Sequence, residues 1–104
     1  MGFFIECRRG AEIMHAGQTS TISAGQIKQV VDETTQVSAL AFKGDDEARR
    51  ATFVATTSQG KFTWHVLFSI GDGDAYVDDV VLVSAPSGAV VQSNPEFKIR
   101  NSDS

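Results

Sequence analysis

The stretch ATFVATTSQGKFTWHVLFSI, residues 51–70, decides the fold that the sequence predicts. Two runs rich in β-branched and aromatic residues flank Gln59 and Gly60, and a two-residue connection ending in glycine between such runs is typical of a β-hairpin. If Ser58 pairs with Lys61, small residues on the first strand oppose large residues on the second. This alternation predicts one buried sheet face. That face carries Phe62, Trp64, Val66 and Phe68.

The hairpin leads through a GDGD turn into a third strand, AYVDDVVLVS, residues 75–84. We therefore predict a β-meander in the C-terminal half of the chain. A four-residue turn pairs Ile70 with Ala75, which places Asp79 on the core face and Asp78 on the solvent face. A one-residue slip in register would exchange the two carboxylates, because side chains alternate between the faces of a strand.

Short β-prone runs elsewhere predict further strands. Residues 3–9 form the first, and residues 12–16 either return as its hairpin partner or continue it, with Gly17 and the polar residues after it ending the strand. Residues 36–44 alternate between apolar and polar side chains and predict another strand. Two short strands follow the meander, AVVQ and NPEFKIR, the second at a sheet edge because proline cannot donate to a ladder.

A helix is predicted from about residue 24 to residue 34. Ser23 and Gln26 have the spacing of a capping box, in which each side chain satisfies a free backbone donor at the other residue. The apolar stripe at helical spacing consists of Ile27, Val30 and Val31. One helix with five to seven strands predicts an α+β domain whose sheet is mainly antiparallel.

The length of 104 residues suits one core but not two, so we predict a single domain over residues 1–104 with a frayed tail at residues 101–104. Cys7 is the single cysteine, which excludes an intramolecular disulfide and favours a reducing compartment. The N-terminus does not have the pattern of a signal peptide, and no run reaches the roughly 18 apolar residues of a membrane span. We therefore expect a cytoplasmic protein.

The charge of the chain is acidic and uneven. Thirteen Asp and Glu against nine Lys and Arg give a net charge of −4. This balance disfavours nucleic acid or an anionic membrane as the partner, because phosphate binding needs a concentrated basic surface. From Phe62 to Phe97 there is no Lys or Arg at all. We therefore predict an acidic patch that receives a basic protein partner, with Tyr76 as an aromatic anchor. Its predicted members are Asp72, Asp74, Tyr76, Asp78, Asp79, Asp45, Asp46 and Glu47.

The plainer interpretation of Asp78 and Asp79 is a pair that caps a turn and keeps the surface solvated.

A catalytic role has less support than either interpretation of these aspartates. Cys7, His15 and His65 are residue types that catalyse, but no local signature surrounds the cysteine, so we expect no enzyme activity. A partly exposed structural imidazole is the plainer interpretation of His65.

The GDGDAYVDD stretch carries carboxylate oxygens at alternating positions, which suit Ca²⁺. Counting from Asp72, however, positions 5, 6 and 12 hold Tyr76, Val77 and Val83, where an EF-hand needs a ligand, Gly and Glu. A looser Ca²⁺ site stays an alternative. We expect neither a metal nor a cofactor.

Two resemblances bear on function. AYVDDVVLVS resembles the closing strand of jelly-roll carbohydrate-binding modules. Those modules usually end soon after this strand and present several aromatic side chains to the sugar, whereas here twenty residues follow and the single tryptophan is predicted to be in the core. The whole chain is similar to immunity proteins of bacterial toxin systems, such as contact-dependent growth inhibition, in being a short, acidic α+β domain with FVATTSQGKFTWHVLF as its central hairpin. This second resemblance implies an antitoxin-like inhibitor whose acidic surface covers the active site or substrate groove of a basic toxin, often a nuclease.

Immunity proteins share no sequence signature, so no site residue is carried over from them. A small carbohydrate-binding β-domain and a small ligand-binding α+β domain remain the alternatives. A pocket with convergent polar groups would favour the ligand-binding domain, and a convex, acidic sheet face would favour the immunity protein.

Overall fold

The computed structural model describes residues 3–24, 27–30, 47–71 and 74–101, and every regular element within them is a β-strand. The strands are β1 (Phe3–Arg9), β2 (Ala11–His15), β3 (Gln18–Ile22), β4 (Ile27–Val30), β5 (Glu47–Thr57), β6 (Gly60–Gly71), β7 (Asp74–Ser84), β8 (Val90–Ser93) and β9 (Glu96–Asn101). All the pairings between them are antiparallel. The α+β prediction is therefore wrong, because the described part of the chain is all-β.

The predicted helix is replaced, over residues 27–30, by strand β4. This strand pairs with β1, with Val30 opposite Phe3 and Ile27 opposite Glu6. β-Branched side chains lose rotamer freedom in a helix and pack well on a pleated sheet, so pairing with a distant strand overrides the helical spacing. The other residues of the predicted helix beyond Ala24, and the strand predicted at 36–44, lie outside the described residues.

The described strands form three sheets, with the orders β4-β1-β9, β3-β2-β8 and β5-β6-β7. The first two are halves of one bent layer, because Gly10 alone separates β1 from β2, and Asn94 and Pro95 alone separate β8 from β9. A Cβ atom on Gly10 would lie 2.6 Å from the carbonyl oxygen of Ile22. The bend therefore requires glycine.

The turn between β2 and β3 consists of Ala16 and Gly17, with φ values of 52° and 77°. Two residues with positive φ make a type I′ turn, whose twist matches that of the flanking strands. The sequence predicted that the polar residues after Gly17 end the strand. They instead form a further strand, β3. Strand β2 pairs with β3 and β8, so it continues β1 and is not its hairpin partner.

The predicted hairpin of β5 and β6 is present, with a small change of register. Thr57 pairs with Gly60, so the connection is Ser58 and Gln59 and the pairing is two residues away from the predicted one. A shift of two residues keeps every side chain on its predicted face. Phe62, Trp64, Val66 and Phe68 are accordingly all buried.

One core joins the meander sheet to the bent layer. Its buried members are Ile5, Ala11, Ile13, Ala24, Ala51, Phe53, Ala55, Phe62, Trp64, Val66, Phe68 and Phe97. The rings of Phe53 and Phe97, one from each layer, have centroids 4.5 Å apart. The described strands thus form a two-layer β-sandwich whose inner faces share a single core. Among the described residues, no helix is long and apolar enough to cross a membrane.

We expect Gly10→Ala to destabilise the domain by about 2–3 kcal/mol, because the added methyl group overlaps backbone atoms that cannot move without disturbing β3. Gly17→Ala is the matched control. Its φ is positive but nothing lies within 4 Å of the added Cβ, so it carries only the cost of a left-handed alanine, about 1 kcal/mol. Urea unfolding measures both free energies, and equal losses would contradict the close approach at Gly10.

Candidate functional site

Strand β7 contains a β-bulge at Asp78. Val77 pairs with Phe68 and Asp79 pairs with the next residue of β6, Leu67, so Asp78 is the extra residue between them. A bulge of this kind breaks the alternation of side chains between the two faces. Asp78 and Asp79 are both exposed as a result, while Val77 and Val80 on either side pack against the core.

This finding corrects the prediction that Asp79 points into the core beside Val66. Val80 takes that position in the ladder. Neither carboxylate needs an inward partner, and an ionised carboxylate in the core, which would cost several kcal/mol, is avoided.

Each carboxylate is held by a hydrogen bond through one of its oxygens. Ser69, on β6, donates from Oγ to Oδ2 of Asp78. The backbone N–H of Val80 donates to Oδ1 of Asp79 at 2.8 Å. The two anionic side chains are thereby oriented before any partner arrives.

Tyr76 lies on the same strand and is 55 % exposed. Its ladder partner is Ser69, the residue that holds Asp78, so its position in the register adjoins the bulge. We call Tyr76, Asp78 and Asp79 the acidic ridge. The ridge is the part of the predicted patch that the structure brings together.

The remaining predicted members of the patch are described only in part. Glu47 and Asp74 begin β5 and β7, and the pairs Glu47 with Ile70 and Asp74 with Gly71 place both at the same end of the meander sheet. Asp72, Asp45 and Asp46 lie outside the described residues. The ridge therefore adjoins the end of the sheet where these two acidic residues lie.

Two exposed valines extend the face beyond the ridge, and neither is among the predicted site residues. Val54 is 48 % exposed on β5, and Val83 is 50 % exposed at a second bulge of β7, between Leu82 and Ser84. The alternation of β5 predicts that Val54 lies on the partly solvated face of the hairpin, whereas the bulge that exposes Val83 has no signal in the sequence.

His65 lies on the outer face of the same sheet, in register with Thr52 and Val81. Desolvation lowers the pKa of His65 below its usual value of 6.5, and the positive charge of Arg50 lowers this pKa further. The imidazole is therefore neutral at neutral pH.

The three residues considered for catalysis do not form a set. Cys7 packs against the core and its Sγ donates to the carbonyl oxygen of Arg9 at 3.4 Å. His15 Nε2 lies 3.2 Å from the carbonyl oxygen of Ser87 in the β7–β8 connection, whereas His65 is on the outer face of the meander sheet. Within the described ranges, no group of three or more His, Cys, Asp or Glu side chains could hold a metal ion.

Comparison with known proteins gives no family for this chain. No protein-family model, no curated protein and no solved structure matches it. The resemblance to immunity proteins and the resemblance to carbohydrate-binding modules both stay predictions.

We expect the stability of the domain to fall as the pH drops below about 6.5, because the unfolded chain then binds a proton at His65 more tightly than the folded chain does. His65→Gln should remove this part of the pH dependence. The free energy of unfolding, measured by urea titration of both proteins between neutral pH and mildly acidic pH, checks the sign. A variant that loses as much stability as the wild type over that interval would contradict this account of His65.

Proposed function

We propose that this protein is an immunity-type inhibitor, a cytoplasmic binding domain that neutralises a basic toxin domain by docking the acidic ridge against it. The observation that carries the proposal is the bulge at Asp78, which exposes two neighbouring carboxylates on a strand that would otherwise direct one of them inward. The toxin is proposed to be of nuclease type, with its active site or substrate groove covered by the bound inhibitor. Binding of this kind requires no catalytic residues in the inhibitor.

The hydrogen bonds from Ser69 and from Val80 support a binding role for the two carboxylates. Because each side chain is already oriented, less conformational entropy is lost when a cation docks. Each carboxylate also has a second oxygen that can accept from an arginine or lysine of the partner. Charge complementarity of this kind mainly raises the association rate and the specificity of a complex.

Three arginines of the bent layer already have acidic partners there. Arg8 and Arg100 lie on β1 and β9, where both contact Glu6, at 3.1 Å and 3.8 Å. Arg9 contacts Glu96 on the same pair of strands at 3.8 Å. The meander sheet has basic residues of its own, because Arg50 on β5 and Asp79 on β7 are both ladder partners of Leu67, so the negative charge of the ridge is partly offset within the sheet.

The apolar residues of the face provide the desolvated part of an interface. Tyr76 is an amphipathic ring of the kind enriched in binding hot spots. Val54 and Val83 lie further along the sheet, so a partner that contacts the ridge can also remove apolar surface from water. We therefore expect the toxin to dock on the outer face of the meander sheet.

A second candidate is a carbohydrate-binding β-domain, which the all-β sandwich favours over the α+β alternative. An exposed tyrosine beside two oriented carboxylates is a combination that can stack on a sugar ring and accept from its hydroxyls. The small ligand-binding α+β domain is not proposed, since its fold class is wrong. The α+β part of the resemblance to immunity proteins is wrong for the same reason, so the inhibitor proposal rests on the acidic ridge.

Growth rescue tests the proposal directly. The product of the gene adjacent to this one is expressed in a bacterial host, alone and together with this chain. Growth arrest that co-expression relieves, together with a stable complex of the two purified proteins, is the expected result. If no toxic or binding product is found and a glycan array responds instead, the carbohydrate-binding candidate replaces the inhibitor.

We expect the double variant Asp78→Asn, Asp79→Asn to slow association with the toxin roughly tenfold at low ionic strength, and less at high salt. The matched control is Glu12→Gln, Glu96→Gln, which changes the net charge equally at two exposed residues of the other layer. Stopped-flow or surface-binding kinetics at two salt concentrations measure both. Equal slowing by the two double variants would show that only the net charge matters and would remove the ridge from the proposed interface.

A further inference from the structure

The outer face of the paired strands β1 and β9 collects basic side chains from two distant parts of the sequence. Ile5 on β1 and Ile99 on β9 are ladder partners that pack against the core, so the residues beside them lie on the outer face. Four residues of these two strands are both basic and exposed, and we call them the basic face. They are Arg8, Arg9, Lys98 and Arg100.

A β-bulge in β1 exposes two of these cations together. Cys7 pairs with Phe97 and Arg9 pairs with Glu96, so Arg8 is the extra residue between them. The bulge breaks the alternation of side chains, and the side chains of Arg8 and Arg9 are 54 % and 62 % exposed. The device that exposes two neighbouring aspartates on β7 therefore exposes two neighbouring arginines on β1.

The carboxylates of the two strands do not neutralise the basic face. Glu6 contacts Arg8 at 3.1 Å and Arg100 at 3.8 Å, and its ladder partner is Lys98. Its side chain is only 20 % exposed, so an approaching ligand meets the surrounding cations first. Glu96 is the other carboxylate of these strands. Within the described ranges Lys98 makes no ion pair, and the four cations exceed the two carboxylates.

An aromatic ring lies among the cations. Phe4 is partly exposed and pairs with Arg100, whose guanidinium carbon lies 5.7 Å from the centroid of the ring. Aromatic rings and guanidinium planes are the groups on which unpaired bases stack. The most exposed large apolar side chains of the described residues, such as Met14 and Val90, all lie on other strands. The basic face therefore lacks the apolar groups that insert into a membrane or form the centre of a protein interface.

We propose that the basic face binds single-stranded nucleic acid, with phosphates on the cations and a base stacked beside Phe4. From Phe4 to Arg9 the strand is about 17 Å long at about 3.4 Å per residue, so a few nucleotides cover the face. The net charge of −4 disfavours phosphate over the surface as a whole, but a binding face depends on its own charge. The acidic ridge belongs to the other layer, and this proposal does not depend on the inhibitor role.

Fluorescence anisotropy with a fluorescein-labelled oligothymidylate of about 12 nucleotides tests the proposal. The logarithm of the wild-type affinity should fall against the logarithm of the salt concentration with a slope of about −2 to −3, because three or four phosphates are neutralised. The double variant Arg8→Gln, Arg9→Gln should weaken binding roughly tenfold at low salt and reduce the slope to about half. The matched control Arg50→Gln, Lys61→Gln removes two positive charges from the meander sheet and should keep the slope.

A further substitution tests the stacking. Phe4→Leu should weaken binding of the oligonucleotide without changing the salt slope, because it removes no charge. Circular dichroism checks that each variant is folded. Should the double arginine variant fail to fold because Glu6 loses a partner, Lys98→Gln removes a cation that makes no ion pair within the described ranges, and it should reduce the slope by about 0.7.

Four results would overturn the proposal. The wild type does not bind the oligonucleotide at low salt, or the two double variants lose affinity equally, which would leave only the net charge as the cause. Polyglutamate or a duplex of the same length binds as tightly as the single strand, which would exclude stacking on bases. Vesicles that contain phosphatidylserine bind while the oligonucleotide does not, which would assign the basic face to an anionic membrane instead.

Discussion

The burial of Trp64 is the constraint on which the rest of the structure depends. The side chain is completely enclosed, and its N–H must be satisfied, because an unpaired buried donor would cost about 1–3 kcal/mol. Asn94 provides the acceptor from the connection between β8 and β9, in the other layer. This polar contact joins the meander sheet to the bent layer, and the apolar contacts around it contribute most of the stabilising free energy.

The acidic ridge follows from a second constraint, the two-residue period of a strand. A regular β7 cannot expose Asp78 and Asp79 together. The bulge solves this by adding one residue on the outer side, after which Val80 and Leu82 return to the core. Burial of the flanking valines fixes the path of the backbone, and the backbone in turn determines where the two carboxylates lie on the surface.

The sequence predicted correctly what depends on local alternation and failed where distant pairing decides. The sequence predicts that Phe62 and Trp64 are buried because small residues of the preceding strand lie opposite the large residues of this strand. Ile27 and Val30 have helical spacing, but their partner is β1, and a window of neighbouring residues contains no information about that strand. The turn at Ala16 was missed because alanine rarely takes positive φ. The only sign of the bulge in the sequence is the pair of adjacent aspartates in an apolar strand. A prediction that assumes regular alternation directs one of these aspartates into the core, whereas the bulge exposes both.

The pairing of β1 with β9 has a consequence for how the chain folds. Phe3 lies opposite Asn101, so the first and last described strands are direct neighbours. Closing so long a loop loses much chain entropy before any contact between these strands is gained, and topologies dominated by such distant contacts fold slowly. The meander can form early from neighbouring segments, and β1 can pair with β4 over a short loop, whereas the pairing of β1 with β9 needs two distant parts of the chain. One edge of β1 can therefore be paired early, while its other edge is among the last to find a partner.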